Sequence, residues 1–170
     1  MRKILKASAL LAAVTLVAVT GAGAAVSPSY QVTGAGTGGP QSNGSQFNGS
    51  GVGSAGDAAR WQASVVYEAL ANCTAVGSVC AITGGALTLK SHGSQLNDSF
   101  SGGSLQLLSA DPGCGAQQFT VTGNLTGDSP LVLTGTLTTD RSQFKGQCVV
   151  RAATLDGSLA PPAPDPGGVL

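Results

Sequence analysis

Leu131-Val132-Leu133-Thr134-Gly135-Thr136-Leu137-Thr138 alternates by twos, with Leu131, Leu133, Gly135 and Leu137 on one face and Val132, Thr134, Thr136 and Thr138 on the other. Successive side chains of a strand point to opposite faces, whereas a helix would scatter these leucines around its axis. The stretch predicts a strand with one apolar and one hydroxyl-bearing side. The same period recurs outward from it: Phe119 and Val121 against Thr120 and Thr122, Leu105 and Leu107 against Ser104 and Gln106, and Leu87 with Leu89 on one face. Arg60 to Glu68 has a β-branched and aromatic centre, and Phe144–Ala153 with Thr154–Leu159 reads as a last pair split near Asp156-Gly157.

Between these runs stand the strand-breaking pairs Gly84-Gly85, His92-Gly93, Gly102-Gly103 and Gly123-Asn124. Turn signals at intervals of about 8–12 residues between alternating runs indicate an all-β domain. Successive hairpins favour a single antiparallel meander closed as a small up-and-down β-barrel, with a β-sandwich as the alternative. No long amphipathic helix interrupts the pattern. Thr-Gly recurs after an apolar residue at Thr83, Thr122 and Thr134, but at unequal spacing, so the chain is no repeat array.

The ends read differently. Residues 1–25 have the form of a secretory signal peptide: Arg2, Lys3 and Lys6, then an uncharged run from Ala7 to Val19, then Ala22-Gly23-Ala24. That run is too short to span a bilayer. Residues 26–44, rich in Gly, Ser and Pro, read as a flexible linker, residues 45–160 as the β domain, and 161–170 as an extended Pro-rich tail. The 170 residues carry eight basic and eight acidic side chains. Three of the basic ones lie in the signal, which leaves the exported chain at a net −3. Such a balance argues against nucleic acid as a partner. No transmembrane span is expected in the exported chain.

Cys73, Cys80, Cys114 and Cys148 all fall in the exported part, and an even count there points to two disulfides. Short separations close most readily, which favours Cys73–Cys80 and Cys114–Cys148. Without paired-cysteine spacing and with His92 as the one histidine, no metal site and no cofactor is expected.

Chemistry is sparse. Gly51-Val52-Gly53-Ser54-Ala55-Gly56 matches the dinucleotide fingerprint, but that motif works only between a strand and a helix. Here it reads as a bend beside a strand. Glu68 is the one glutamate, and the aspartates adjoin turn residues, where Asp caps backbone N–H groups. No D-x-D-x-D-G run suggests calcium. Trp61 and Tyr67 are six positions apart on one strand and share a side with Ala63 and Val65, either as core or as a ligand-facing platform. Sequons stand at Asn43, Asn48, Asn72, Asn97 and Asn124.

The expectation is a secreted or envelope-associated, non-enzymatic β domain that binds a small ligand, glycan or partner protein, with Trp61, Tyr67 and Glu68 as candidate contacts. The alternatives are a small hydrolase or isomerase using Glu68 with an Asp or His92, and a structural surface protein that assembles through Thr-rich strands. Oligomeric state is left open.

Overall fold

The alternation at 131–138 extends along the whole domain and closes on itself. A computed structural model describes residues 29–68 and 73–164. It contains eight strands: β1 (Tyr30–Gly39), β2 (Gly44–Gly53), β3 (Ala58–Tyr67), β4 (Val79–Ser91), β5 (Ser94–Ala110), β6 (Gln117–Gly127), β7 (Leu131–Phe144) and β8 (Gln147–Ala160). Each pairs antiparallel with the next, and β1 pairs with β8 to close the barrel. The expected meander barrel is therefore the fold, and the sandwich alternative falls. Closure leaves no strand with an unpaired edge.

Inward positions carry the core. On β3, Ala59, Trp61, Ala63, Val65 and Tyr67 are buried; on β7, Leu131, Leu133 and Leu137; on β8, Ala153, Leu155 and Leu159. Eight strands enclose a bore just wide enough for side chains to fill. The outward positions between them are mainly Thr, Ser, Gln and Asn, as along β6 and β7. A membrane-spanning barrel needs an apolar band outside, and this wall is polar. Among the described residues no helix is long and apolar enough to cross a membrane.

Several expected boundaries move, for one physical reason. Residues 30–44, read as linker, form β1, a 3-10 turn at Pro40–Ser42 and the start of β2. Beyond Tyr30 and Val32, which join the core, the inward positions of β1 are glycines, and at Gly34 and Gly36 neighbouring aromatics take the space. Gly34 pairs with Gly49, and Gly49 with Trp61, so the indole of β3 lies across β2 and on to β1. A Cβ on Gly34 would sit 2.3 Å from Trp61 Cζ2, and one on Gly49 2.5 Å from Trp61 Nε1. The indole N–H donates to the carbonyls of Thr33 and Ser50, each at 3.1 Å. Phe47 covers Gly36 and Phe100 covers Gly123 in the same way. Covering a strand glycine with a cross-strand aromatic protects its backbone and fills the layer that a side chain would occupy.

Other glycine pairs read as breaks are bends within long strands. Gly84-Gly85 lies inside β4, Gly102-Gly103 inside β5, Gly123-Asn124 inside β6 and Asp156-Gly157 inside β8. Register shifts between Phe100 and Gly102, where two residues of β5 oppose fewer on β6. A bulge of this kind lets the inward set pass from Phe100 to Leu105 although their parity differs. At Gly135–Gly157, β7 and β8 approach so closely that a Cβ on either would strike the other strand's backbone. The turns that do separate strands include His92-Gly93 (φ 48° and 76°) and Lys145-Gly146 (φ 49° and 80°). Positive φ at both central residues suits the twist of a two-residue hairpin. Phe144 therefore ends β7, and the expected last pair is the single strand β8.

Residues 1–25 and Asn72 lie outside the described residues, as does the tail beyond Pro164; residues 161–164 carry no regular structure.

Candidate functional site

The barrel's wall has an inner and an outer surface, and the aromatic candidates fall on the inner one. Trp61 and Tyr67 are each only 4% exposed. Tyr67 donates its hydroxyl to Ser45 Oγ at 2.9 Å. Burial pushes its pKa up to about 12, and the Ser45 hydrogen bond offsets that rise only in part. Both polar tips are thus committed to neighbours within the barrel. Trp61 and Tyr67 act as core, and neither presents a face to a ligand in this structure.

Glu68 follows the end of β3 and is exposed, its backbone N–H bonded to the Ala81 carbonyl at 2.9 Å. His92 lies in the β4–β5 turn, next to Ser91, which pairs with Ala59 near the start of β3. Eight or nine strand residues at about 3.3 Å each put Glu68 and His92 on the order of 26–30 Å apart. Ala81 pairs with Ser104, so Asp98 and Asp111 lie roughly 20 Å and 23 Å away along β5 in opposite directions. Paired-carboxylate enzymes hold their two groups about 5–10 Å apart. None of these three partners meets that spacing. Asp98 is buried, takes the Ser129 N–H on Oδ1 at 3.3 Å and fastens the β6–β7 turn.

His92 instead pairs with Asp57, Nδ1 to Oδ1 at 3.1 Å, across the turns at one end of the barrel. His92 also lines a groove of about 670 Å³ at this end of the barrel, walled by the end of β2, the start of β3, the end of β4 and the start of β5. The motif Gly51–Gly56 runs from the end of β2 into the turn before β3, with no helix after it. Of the motif, Gly51 and Val52 help to wall the groove. Through Arg60, Lys90 and Gln95 the groove continues into a second cleft of about 310 Å³ beside Asn48, Gln62 and Thr88. Through Gln62 and Thr88 it reaches a third of about 310 Å³ beside Gln46, Ser64 and Ala86. The floor is the outward row Ala58, Arg60, Gln62 and Ser64 of β3, about 20 Å long at strand rise.

Sequence reasoning missed this site. It depends on which outward residues of three strands stand side by side, and that is a matter of register. Arg60 lies directly opposite Lys90, flanked by Ser50 on β2 and Gln95 on β5. Like charges directly opposite on one sheet face are destabilising. Among the described residues neither side chain has a hydrogen-bond or ion-pair partner, although Asp57 and Asp156 occupy the same half of the barrel. Other cations are engaged. Arg141 donates to the Gly115 carbonyl at 2.8 Å, and Arg151 to Ser142 Oγ at 2.7 Å. Burial lowers the Arg141 pKa, and Asp111 partly restores it.

The cysteines pair as favoured by their separations. Cys73–Cys80 clips the loop before β4, and Cys114–Cys148 ties the β5–β6 loop to the start of β8, with Cα–Cα distances of 5.5 Å and 5.3 Å. No cluster of three metal-ligating side chains occurs among the described residues. The four described sequon asparagines, Asn43, Asn48, Asn97 and Asn124, are all exposed. Comparison with known proteins adds no further assignment: the chain matches no protein-family model, no curated protein and no solved structure.

Proposed function

We propose that the protein is a secreted or envelope-associated, non-enzymatic barrel that binds a glycan along its outer wall. The observation that carries this reading is the row of cationic, amide and hydroxyl side chains lining the joined clefts over β3, set against a bore filled by Trp61, Tyr67 and the leucines. Gln46, Asn48, Gln62 and Thr88 offer amide and hydroxyl donors and acceptors at strand spacing, the complement of a hydroxyl-rich chain. A trough about 20 Å long suits an extended oligomer better than a compact metabolite. Two disulfides suit an oxidising compartment, and residues 1–25 have the sequence of an export signal.

Assembly through strand edges draws no support from a barrel whose eight strands are all paired. An acid–base reading on Glu68 draws none from its separation from His92, Asp98 and Asp111. The test is a glycan array followed by calorimetry on the best binder. Gln62→Ala with Asn48→Ala is expected to weaken binding at least fivefold, while the fluorescence of Trp61 stays unchanged at saturation. Binding that survives the double substitution and shifts Trp61 emission would refute the assignment of the outer wall.

A further inference from the structure

Of the five basic side chains among the described residues, Arg60 and Lys90 are cross-strand neighbours, and both line the first two clefts of the trough. Each has a polar group beside it on the next strand, Ser50 next to Arg60 and Gln95 next to Lys90. The exported chain is otherwise acidic, and its other arginines are hydrogen-bonded at the opposite end of the barrel. Two unneutralised cations placed side by side cost the fold some stability. They gain a compensating role when one anion sits between them.

We propose that Arg60 and Lys90 form an oxyanion clamp that reads a carboxylate or sulfate group on an acidic polysaccharide lying in the trough. A guanidinium presents a planar fork of donors, and an ammonium beside it supplies a second point charge, the pairing suited to an oxygen-bearing anion. The Ser50 and Gln95 side chains supply neutral donors to the same group. The polar character of the trough changes along its length. Cations lie at the His92 end, and amides and hydroxyls occupy the middle and the far end around Gln46 and Ser64. The ligand this fits carries an acid group at one position and hydroxyls at the next. The inference rests on the outer-wall reading above and adds the charge of the ligand to it.

The exported chain is titrated calorimetrically with three tetrasaccharides of equal length: an oligogalacturonate, a heparin-derived fragment and a neutral malto-oligosaccharide. At least one acidic oligosaccharide is expected to bind at least tenfold tighter than the neutral one, and to weaken as salt rises. Which of the two binds more tightly distinguishes carboxylate from sulfate. Arg60→Gln with Lys90→Gln is expected to abolish that tenfold preference, whereas Arg151→Gln leaves it intact. The Arg60→Gln/Lys90→Gln protein is also expected to melt no lower than the parent, since a like-charge contact has been removed. Equal affinity for the neutral chain, or a preference unchanged in the double variant, would overturn the clamp while leaving a neutral-glycan trough standing. Binding to none of the three would overturn both.

Discussion

Gly34→Ala tests the relation between the glycine-rich strands and Trp61. The added Cβ would lie 2.3 Å from Trp61 Cζ2 and 2.8 Å from Cη2, so the indole has to leave its seat. Moving it strains or breaks the bonds from the indole N–H to the Thr33 and Ser50 carbonyls. Gly34 lacks the positive φ that disfavours alanine, so the cost is packing and not backbone strain. Overpacking of a tight site costs about 1–3 kcal/mol, which is roughly 4–12 °C in Tm for a domain of this size. Thermal and urea unfolding followed by circular dichroism measure it. The decisive comparison is the same substitution in a Trp61→Leu background, where the obstructing ring is gone. There Gly34→Ala is expected to be neutral or stabilising by up to about 1 kcal/mol, because alanine loses less chain entropy than glycine on folding. Contacting residues couple by about 0.5–3 kcal/mol in such cycles. Equal costs in the two backgrounds, or no cost in the parent, would refute the idea that these glycines exist to seat the indole.

Tyr67 makes a pH prediction. Its folded pKa is raised to about 12 from 10, so the folded state holds the proton more tightly than the unfolded chain. The resulting stability is fully present below pH 10 and is lost as pH rises through 12. The loss is on the order of 2–3 kcal/mol, and a Tyr67→Phe variant measured in parallel should lack that component. The disulfides should differ in worth. Loop-closure entropy gives about 4 kcal/mol for Cys114–Cys148, with 34 positions between its ends, and about 2.4 kcal/mol for Cys73–Cys80, with 7. Serine substitution of each pair followed by urea titration should preserve that order. A larger loss from the shorter loop would contradict it.

Where inward positions hold large apolar residues, the sequence showed its strands plainly. Leu131, Leu133 and Leu137 mark β7, and Phe119 with Val121 marks β6. Where inward positions hold glycine, the pattern vanished. β1 presents Gly34 and Gly36 to the interior because Trp61 and Phe47 already fill that volume from β3 and β2. Its hydrophobic signal is therefore written in other strands. Glycine also stands for both turn and bend. His92-Gly93 turns the chain, whereas Gly102-Gly103 only kinks β5, and only the partner strand distinguishes them. The side chosen for Trp61 and Tyr67 was legible from parity, but not that their side was the filled interior. Arg60 and Lys90 are 30 positions apart and become a pair only through the β3–β4 register.

The most direct measurement is an amide and indole NMR titration of residues 26–170 with the acidic oligosaccharide that binds best. The account predicts shifts at Arg60, Gln62, Lys90 and Gln95 on the outer wall, and an unmoved indole N–H resonance for Trp61. Shifts centred on Trp61, Leu87 and Leu105, with the outer row of β3 unchanged, would place the ligand in the bore and contradict it.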